Sequence, residues 1–277
     1  MKHLHLRARL RRSFANRGFA GSLRHYSARA WKMLRPPRLT PHPFDVQHGV
    51  HTTAYIERSQ LATGHAHDLY NTAYYGSAPS MVTVAIDSWQ QQLTAADPTL
   101  EAWTFIDIGA GLGRAVMIAS QYPFEQVIGV EMNPDLVKQA RKNLSIWRRI
   151  ARACNRIEIA TADATEFPWP RSPLAIYMFN PFERPVMDRL LASLDNALDN
   201  GCGPIHILYV HPVESAAFDV HPGSQLLAAT ECHLTPEERL ADLFTDRDAT
   251  SSWAECRIYQ IAKHRKASEA AAAVTLA

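Results

Sequence analysis

Three glycines at alternate positions follow a short apolar run, and their spacing suits the binding of a nucleotide-like ligand. The run from Trp103 to Ile108 is typical of a strand that is buried on both faces of a parallel sheet. Gly109, Gly111 and Gly113 can take positive φ and let the backbone approach a ligand closely. Because the residues that follow suit a helix, the pattern predicts a strand–turn–helix unit with a ligand across its turn.

An acid before the first glycine narrows the choice of ligand. Dinucleotide-binding proteins use Gly-x-Gly-x-x-Gly, with the phosphates at the N-terminus of the helix. Here the pattern is Asp-x-Gly-x-Gly-x-Gly from Asp107, and Arg114 or Val116 stands where the third glycine would be needed. A carboxylate at position 107 repels a pyrophosphate but suits the α-ammonium group of S-adenosylmethionine (SAM).

Three more strand-like runs follow, and each leads to a polar side chain. Ligands of open α/β sheets bind beyond the carboxyl ends of the strands, so we expect these side chains to meet Asp107 around one crevice. At the end of the second strand, an acid can accept hydrogen bonds from two ribose hydroxyls. The runs are residues 127–130, 157–159 and 175–179, and they lead to Glu131, Asp163 and Asn180, respectively.

With these four strand ends, the chain resembles the class I (seven-strand) SAM-dependent methyltransferases, and in particular a bacterial group with Asp-x-Gly-x-Gly-x-Gly-Arg and Asn-Pro-Phe motifs. The resemblance spans roughly residues 45–183. It also includes a Gly-Val-x-Thr segment at residues 49–52, a Tyr-x-x-x-x-Pro-type segment at residues 74–79 and the run Tyr122-Pro123-Phe124. It implies an α/β fold, a Rossmann-like doubly wound, mostly parallel seven-stranded sheet with an N-terminal helical or irregular extension.

The resemblance also implies SAM as the cofactor and a set of residues that bind it. In this family an acid at the third strand end commonly faces the adenine amino group, which places Asp163 there. Thr52 and Tyr75 would help to close the methionine end of the pocket. The implied cofactor-binding residues are Thr52, Tyr75, Asp107, Gly109, Ala110, Gly111, Gly113, Glu131, Met132, Asp163, Ala164 and Asn180.

The stretch Asn180-Pro181-Phe182 is the candidate catalytic motif. It resembles the Asn-Pro-Pro-aromatic signature of enzymes that methylate the amino groups of adenine or glutamine, although the second proline is missing. In that role Asn180 and the Pro181 carbonyl would accept hydrogen bonds from an amine or amide, and Phe182 would pack on the acceptor. Asn-Pro is also a common turn or helix-start signal, so a purely structural role stays open.

These motifs predict methyl transfer to a nitrogen nucleophile. A protein side chain is favoured over nucleic acid as the methyl acceptor. The stretch Gly-Val-Glu-x-Asn-Pro at residues 129–134 also resembles histone-methylating seven-strand enzymes that act on lysine. A small-molecule acceptor remains open, and so does a non-catalytic SAM-binding protein, because fold does not determine function. The spacing of the glycines disfavours a nicotinamide-dependent oxidoreductase.

The charge distribution separates a basic arm from an acidic body. Residues 1–38 hold eleven of the 29 Lys and Arg residues and no acid, which leaves 18 basic residues against 27 acids in the remainder. Such an arm can bind an anionic partner, such as nucleic acid, a membrane surface or an acidic protein. It also fits a solubilising leader, or a transit peptide because it is rich in Arg and poor in acids.

The predicted organisation has four parts. They are a basic arm with a proline-rich linker (residues 1–43), a pre-domain cap segment (residues 44–78), the SAM-dependent methyltransferase domain (residues 79–264) and an Ala-rich tail (residues 265–277). Within the domain, the patterns predict a helix from about Pro79 to Ala95, a helix after Asn180, a strand over Ile205–Val210 and a late strand from Trp253 to Ala262.

The remaining residue types argue against other classes of site. The four cysteines are isolated, so we expect neither a zinc site nor a disulfide framework, and they fit a reducing, cytoplasmic location. No apolar run is long enough to predict a transmembrane segment. Five histidines crowd residues 42–67 without an acid or thiol at regular ligand spacing, so we expect no metal. They are His42, His48, His51, His65 and His67.

Overall fold

The computed structural model describes residues 40–241 and 253–263 of the chain. The predicted basic arm and the Ala-rich tail lie outside these residues. The strands are β1 (Tyr55–Ile56), β2 (Tyr74–Tyr75), β3 (Thr104–Ile108), β4 (Gln126–Glu131), β5 (Ile157–Thr161), β6 (Leu174–Phe179), β7 (Ile205–Val210), β8 (Ser224–His233) and β9 (Trp253–Ile261).

Seven α-helices accompany the strands within the described residues. They are α1 (Pro43–His48), α2 (Pro79–Gln90), α3 (Arg114–Ala119), α4 (Pro134–Trp147), α5 (Arg184–Asp199), α6 (Ser215–Asp219) and α7 (Pro236–Ala241). Short 3₁₀ helices lie at Arg58–Gln60, Ala66–Leu69 and Leu100–Ala102. None of the described helices is long and apolar enough to cross a membrane.

Seven strands form one mostly parallel sheet, which confirms the predicted fold class. The strand order is β5-β4-β3-β6-β7-β9-β8, with β3 to β7 parallel and β9 antiparallel between β7 and β8. Strands β1 and β2 form a separate antiparallel pair. The chain runs outward from β3 to β5 and then returns to the other side of β3 with β6, so the sheet is doubly wound and switches direction at β3.

Two hydrophobic cores cover the two faces of the large sheet. Helices α2, α3 and α4 contribute buried side chains to one core, together with Trp89 and Trp103. Helices α5 and α6 contribute to the other, together with Ile106 and Ile176. Because both faces are covered, the central parallel strands are continuous apolar runs, as the sequence pattern predicts.

Local chemistry explains where helix α4 begins. The Asn133 side chain accepts hydrogen bonds from the backbone N–H groups of Asp135 and Leu136 at 2.9 and 3.1 Å. Pro134 occupies the first helical position, where its missing N–H costs nothing. This cap fixes the start of α4 and places Glu131 just before the turn into the helix.

The structure departs from the predicted element boundaries in three places. Helix α1 begins at Pro43, inside the predicted linker, because Pro43 suits the first helical turn and His42 Nδ1 caps the Phe44 N–H at 3.2 Å. Helix α2 ends at Gln90 rather than near residue 95, where a turn is held by Thr94 and Asp97. Strand β8 was not predicted, because it is half-exposed at the sheet edge and lacks a clear apolar pattern.

Candidate functional site

A cavity of about 330 Å³ lies at the carboxyl ends of β3, β4 and β6, where the sheet switches direction. Eleven of the predicted site residues line it. They are Tyr75, Asp107, Gly109, Ala110, Glu131, Met132, Asp163, Ala164, Asn180, Pro181 and Phe182. The cap segment supplies another wall, mainly with residues 71–77. Thr52, Gly111 and Gly113 are not among the lining residues, so their predicted contacts with a ligand are not seen in the cavity wall.

The Asp107 carboxylate is the least satisfied charged group of the cavity. Its residue is only 4% exposed, and within residues 40–241 and 253–263 no hydrogen bond to the carboxylate is found. Burial raises its pKa to about 8, and the nearby Glu131 carboxylate adds to the shift. A buried carboxylate without a partner is unfavourable, so this position favours the approach of a cation.

Glu131 is held in place by the backbone of two turns. Its Oε2 accepts from the Gly111 N–H at 2.9 Å and its Oε1 accepts from the Asn133 N–H at 2.8 Å. Burial raises its pKa, although these backbone hydrogen bonds oppose the shift. An ionised carboxylate offers about four lone-pair sites, so both oxygens can still accept a hydrogen bond from a ligand hydroxyl.

Asp163 belongs to a hydrogen-bonded network with His67 and Arg189 that the sequence pattern does not predict. Its Oδ1 accepts from the Thr165 N–H at 2.7 Å, and its Oδ2 lies 2.6 Å from His67 Nδ1. Arg189 Nη1 lies 2.7 Å from the other nitrogen of His67, and because arginine only donates, His67 Nδ1 carries the proton that faces Asp163. Burial opposes ionisation of Asp163, but the hydrogen bonds from Thr165 and His67 outweigh it and lower the pKa.

The same residues form a group that offers three metal-ligand atoms. The potential ligand atoms of His65, His67 and Asp163 all lie within 4.8 Å of one another. Such a group was not predicted, because an acid 96 residues away from His67 cannot be recognised from local spacing in the sequence. The guanidinium group of Arg189 beside His67 adds positive charge and disfavours a cation there.

Gly111 faces a tyrosine ring of the cap segment. A Cβ atom at Gly111 would lie 2.1 Å from Tyr74 Cε2, so only glycine leaves room for this ring. The Tyr74 hydroxyl donates to the Thr52 carbonyl at 2.8 Å, which holds the ring in place. The close approach expected at Gly111 is therefore made by Tyr74 in this structure.

Arg114 connects the glycine turn to the cap segment. Its Nε donates to Thr52 Oγ1 at 2.6 Å, and its Nη1 donates to the carbonyls of Gly76 and Ser77 at 3.2 Å each. Asp45 lies nearby, with Oδ1 3.9 Å from Arg114 Nη2. The sequence analysis missed this role. Its signal was a cation in the first turn of a helix, where the helix dipole disfavours positive charge unless a partner compensates it.

The backbone of Asn180-Pro181-Phe182 is bound to the cap segment. Thr72 Oγ1 donates to the Asn180 carbonyl at 2.9 Å, and the Thr72 N–H donates to the Pro181 carbonyl at 3.0 Å. The carbonyl that was expected to accept from an amine therefore already has a donor. Asn180 has a φ of 42°, a conformation that non-glycine residues rarely adopt and that clusters at functional sites.

His211 is a second cavity residue that the sequence analysis missed. It follows β7 directly, lines the cavity and has a φ of 52°. Its ring stacks on Phe179, with the ring centroids 6.2 Å apart and an interplanar angle of 29°. The signal in the sequence was a polar residue at the end of a fifth apolar run, the same pattern that identified the other four strand ends.

Comparisons with known proteins found similar folds among solved structures. No protein-family model matches the sequence, and no curated protein does. Among solved structures, the chain is similar to an RNA methyltransferase from Salinibacter ruber in complex with S-adenosyl-L-homocysteine. The TM-score is 0.44 and the identity 16%, with 69% of this chain and 97% of that chain covered.

Two other similar structures have different acceptors in their names. One is the precorrin-6y C5,15-methyltransferase from Geobacter metallireducens, with a TM-score of 0.44, 13% identity, and 65% of this chain and 86% of that chain covered. The other is a ribosomal protein L11 methylase from Lactobacillus delbrueckii, with a TM-score of 0.40, 13% identity, and 66% of this chain and 78% of that chain covered. These likenesses concern the fold and identify no acceptor for this chain.

Proposed function

We propose that this chain is a SAM-dependent methyltransferase. The observation that carries the proposal is the buried Asp107 carboxylate, which faces the cavity at the switch point of the sheet and accepts no hydrogen bond from the described residues. A cationic ligand removes the cost of that buried charge, and SAM carries both an ammonium and a sulfonium group. A dinucleotide would bring a pyrophosphate to the same place.

The other strand ends suit the remaining parts of SAM. Glu131 can accept from the ribose hydroxyls with the lone pairs that its two backbone donors leave open. Asp163 and Ala164 also line the cavity, and we assign the adenine ring to them. The cavity volume falls within the range of small-molecule and cofactor sites.

Bound SAM supplies an electrophilic methyl group on a leaving group that is already cationic. The protein therefore has to align a nucleophile with that methyl group, and positioning of this kind provides much of the rate in such reactions. Tyr75, Asn180 and Phe182 line the cavity and are our candidates for positioning the nucleophile. No general acid is needed, and a base is needed only for a nucleophile that arrives with its proton.

The nitrogen nucleophile and the protein acceptor expected from the sequence remain proposals. Their support came from the likeness of Asn-Pro-Phe to amino-methylating signatures. Two acceptor oxygens are central to that likeness, the Asn180 side-chain oxygen and the Pro181 carbonyl, and both already accept hydrogen bonds from the chain itself. These oxygens keep some accepting capacity, but the group of Asn180 that has no partner among the described residues is its amide nitrogen. The geometry therefore favours a nucleophile that can accept a hydrogen bond over a planar amine.

Calorimetric titration with SAM, S-adenosylhomocysteine and NADH tests the cofactor assignment. We expect binding of the first two ligands and none of NADH. Glu131→Ala should weaken SAM binding by about 1.5–3 kcal/mol, because a charged acceptor of hydrogen bonds is lost. Glu158→Ala is a matched control, since Glu158 is an exposed acid on β5 outside the cavity lining.

Three results bear on the assignment of SAM and of its methyl transfer to this cavity. Binding of NADH without SAM would assign the cavity to a dinucleotide. Wild-type SAM affinity in a folded Glu131→Ala protein would refute the ribose contact. Transfer of a labelled methyl group from SAM into extract separates a methyltransferase from a non-catalytic SAM-binding protein.

A further inference from the structure

Two polar residues lie side by side at the carboxyl edge of the sheet, next to the cavity. Phe179 of β6 pairs in register with Val210 of β7, so the next residues along the two strands are Asn180 and His211. Both line the cavity, and both have positive φ although neither is glycine. Such backbone strain clusters at functional sites, so the hydrogen bonds that the two side chains can still make indicate what this edge of the sheet binds.

A chain of hydrogen bonds sets the orientation of the Asn180 amide. The Glu214 N–H donates to the Tyr209 hydroxyl oxygen at 3.1 Å. Burial raises the pKa of Tyr209 to about 12, so the phenol keeps its proton. It donates that proton to Asn180 Oδ1 at 3.2 Å. The amide nitrogen of Asn180 is therefore the group left over, and none of the described residues accepts a hydrogen bond from it.

The His211 imidazole has its ring nitrogens available at the same place. Its ring face packs on Phe179, and within the described part of the chain no hydrogen bond to either ring nitrogen is found. A neutral imidazole offers one donor and one acceptor nitrogen. The residue is exposed, so a proton taken up from the cavity can pass on to solvent.

We propose that the methyl acceptor is an aromatic hydroxyl group, which Asn180 holds with its amide nitrogen and from which His211 takes the proton. This inference rests on the proposed function and names its substrate class. A hydroxyl oxygen can donate its proton to a base, accept one hydrogen bond and still present a lone pair to the methyl group. A planar amine needs two acceptors for its hydrogens and cannot use the donor of Asn180.

The aromatic part of the acceptor follows from the cavity wall. Tyr75 and Phe179 lie with their ring centroids 6.4 Å apart, and the His211 ring stacks on Phe179 with a centroid distance of 6.2 Å. Phe182 is a further apolar ring in the lining. Rings at such distances and angles favour packing against a flat apolar body.

The step balances without a further reactant. The O–C bond forms as the S–C bond of SAM breaks, and the electron pair of the broken bond stays on sulfur. The hydroxyl proton passes to the imidazole of His211 and then to solvent. The products are an aryl methyl ether and S-adenosylhomocysteine, and no oxidant or metal is required.

The first experiment identifies the atom that is methylated. The full-length protein is incubated with SAM that carries ¹³C in its methyl group and with extract of the organism that makes the protein. The chemical shift of the labelled carbon in the product distinguishes methyl groups on oxygen, nitrogen and carbon. A methyl ether supports the proposal. An N-methyl or C-methyl product overturns it and leaves the methyltransferase assignment intact, whereas no labelled product despite SAM binding overturns both.

The second experiment tests the two side chains. His211→Ala should lower turnover on the order of 10²–10⁴-fold, because a general base contributes that much, while SAM affinity stays unchanged. Added imidazole should restore part of the lost rate. His233→Ala serves as the matched control, since His233 is an exposed histidine on β8 outside the cavity lining, and should keep full activity.

Asn180→Asp distinguishes a donor from an acceptor at the same position. The aspartate keeps the oxygen that accepts the hydrogen bond from Tyr209 and loses the NH₂ group, so we expect turnover to fall in Asn180→Asp and by a similar factor in Asn180→Ala. Full turnover in Asn180→Asp would show that position 180 acts as an acceptor and would overturn the role of its nitrogen. Full turnover in His211→Ala, or a loss that imidazole does not relieve, would overturn the role of His211 as the base.

Discussion

Asp107 holds its proton in the folded chain far above the pH at which an exposed aspartate loses it. Its pKa is about 8 when folded, against 3.8 for the ordinary side chain, because burial and the Glu131 charge disfavour the anion. In the free protein most Asp107 side chains are therefore neutral at pH 6. An ammonium group beside the carboxylate favours the ionised form, so SAM binding should release this proton.

The first prediction follows from this linkage. The affinity of the wild-type protein for SAM should rise as pH increases from 6 to 8 and level off above pH 8, where Asp107 is ionised before binding. Asp107→Asn should lose roughly ten- to hundredfold in affinity and most of this pH dependence, since the loss of a charge-assisted contact costs about 1.5–3 kcal/mol. Calorimetry at three pH values measures both effects.

The stability of the folded chain provides the control for this prediction. Between pH 4 and 8 the folded state keeps a proton on Asp107 that the unfolded state has lost, so unfolding becomes easier as pH rises through this range. Asp107→Asn lacks this contribution. The variant should therefore gain melting temperature relative to the wild type at pH 8 and not at pH 4. An equal difference at both pH values would contradict a raised pKa at position 107.

The contact between Gly111 and Tyr74 leads to a second prediction. Gly111→Ala should lower both the melting temperature and SAM affinity, because the new Cβ would overlap the Tyr74 ring at 2.1 Å. In a Tyr74→Ala background the same substitution should cost less, and only the strain of its φ of 52° should remain, about 1–2 kcal/mol. Gly49→Ala isolates that strain, because Gly49 has a φ of 67° and nothing within 4 Å of its Cβ position.

At the scale of elements, Arg114 is what attaches the cap segment to helix α3. Arg114→Met should lower the free energy of unfolding by about 3–5 kcal/mol, since it leaves buried polar partners such as Thr52 without their donor. Arg156→Met is the matched control. Its ion pair with Glu125 is shorter, at 2.9 Å, but it is exposed, so the loss should be about 0–1 kcal/mol.

Chemical denaturation of the two variants measures the difference. Equal losses would contradict the importance of burial at Arg114. Arg114→Met should also reduce SAM affinity. Arg114 holds the cap segment, and residues 71–77 of that segment form one wall of the cavity.

The elements that the sequence predicts are those with a clear local pattern, either a run of apolar residues or a helix cap. Strands β3, β4, β6 and β7 are mostly apolar because helices cover both faces of the sheet, and α4 begins at a recognisable cap. Strand β8 has a half-exposed edge position and no such pattern. Helix α1 was not predicted, because a cluster of prolines is typical of extended chain. A proline also suits the first turn of a helix, and Pro43 has that position here.

Contacts between distant parts of the chain were not predictable in the same way. Tyr74 packs on Gly111, Arg114 binds Thr52, and His67 faces Asp163 across 37, 62 and 96 positions of the sequence. The polar residue types among them indicate that each needs a hydrogen-bond partner when it is buried. A single sequence does not show which distant residue that partner is. The strand ends were the exception, because the carboxyl ends of parallel strands always meet at one edge of the sheet.

At the scale of the whole molecule, the basic arm is the largest feature whose role rests on the sequence alone. Residues 1–38 carry eleven Lys and Arg residues and no acid. The first described contact of the body is made by His42, whose N–H donates to Thr53 Oγ1 at 2.8 Å. A truncated protein that begins at Leu39 keeps this contact and helix α1, so we expect it to melt at nearly the same temperature and to bind SAM with unchanged affinity.

The arm should matter instead for binding to an anionic partner. We expect the full-length protein to bind duplex RNA or vesicles with anionic lipid more tightly than the truncated protein, and the difference should shrink as salt rises. The physical reason is that charges in water act through a field that is screened within about 8 Å at physiological ionic strength. Retention on each anionic surface at two salt concentrations measures the effect. Unfolding of the truncated protein, or its loss of SAM binding, would show that the arm belongs to the fold. If neither protein binds an anionic surface at low salt, the arm has no electrostatic role, and its composition fits a leader instead.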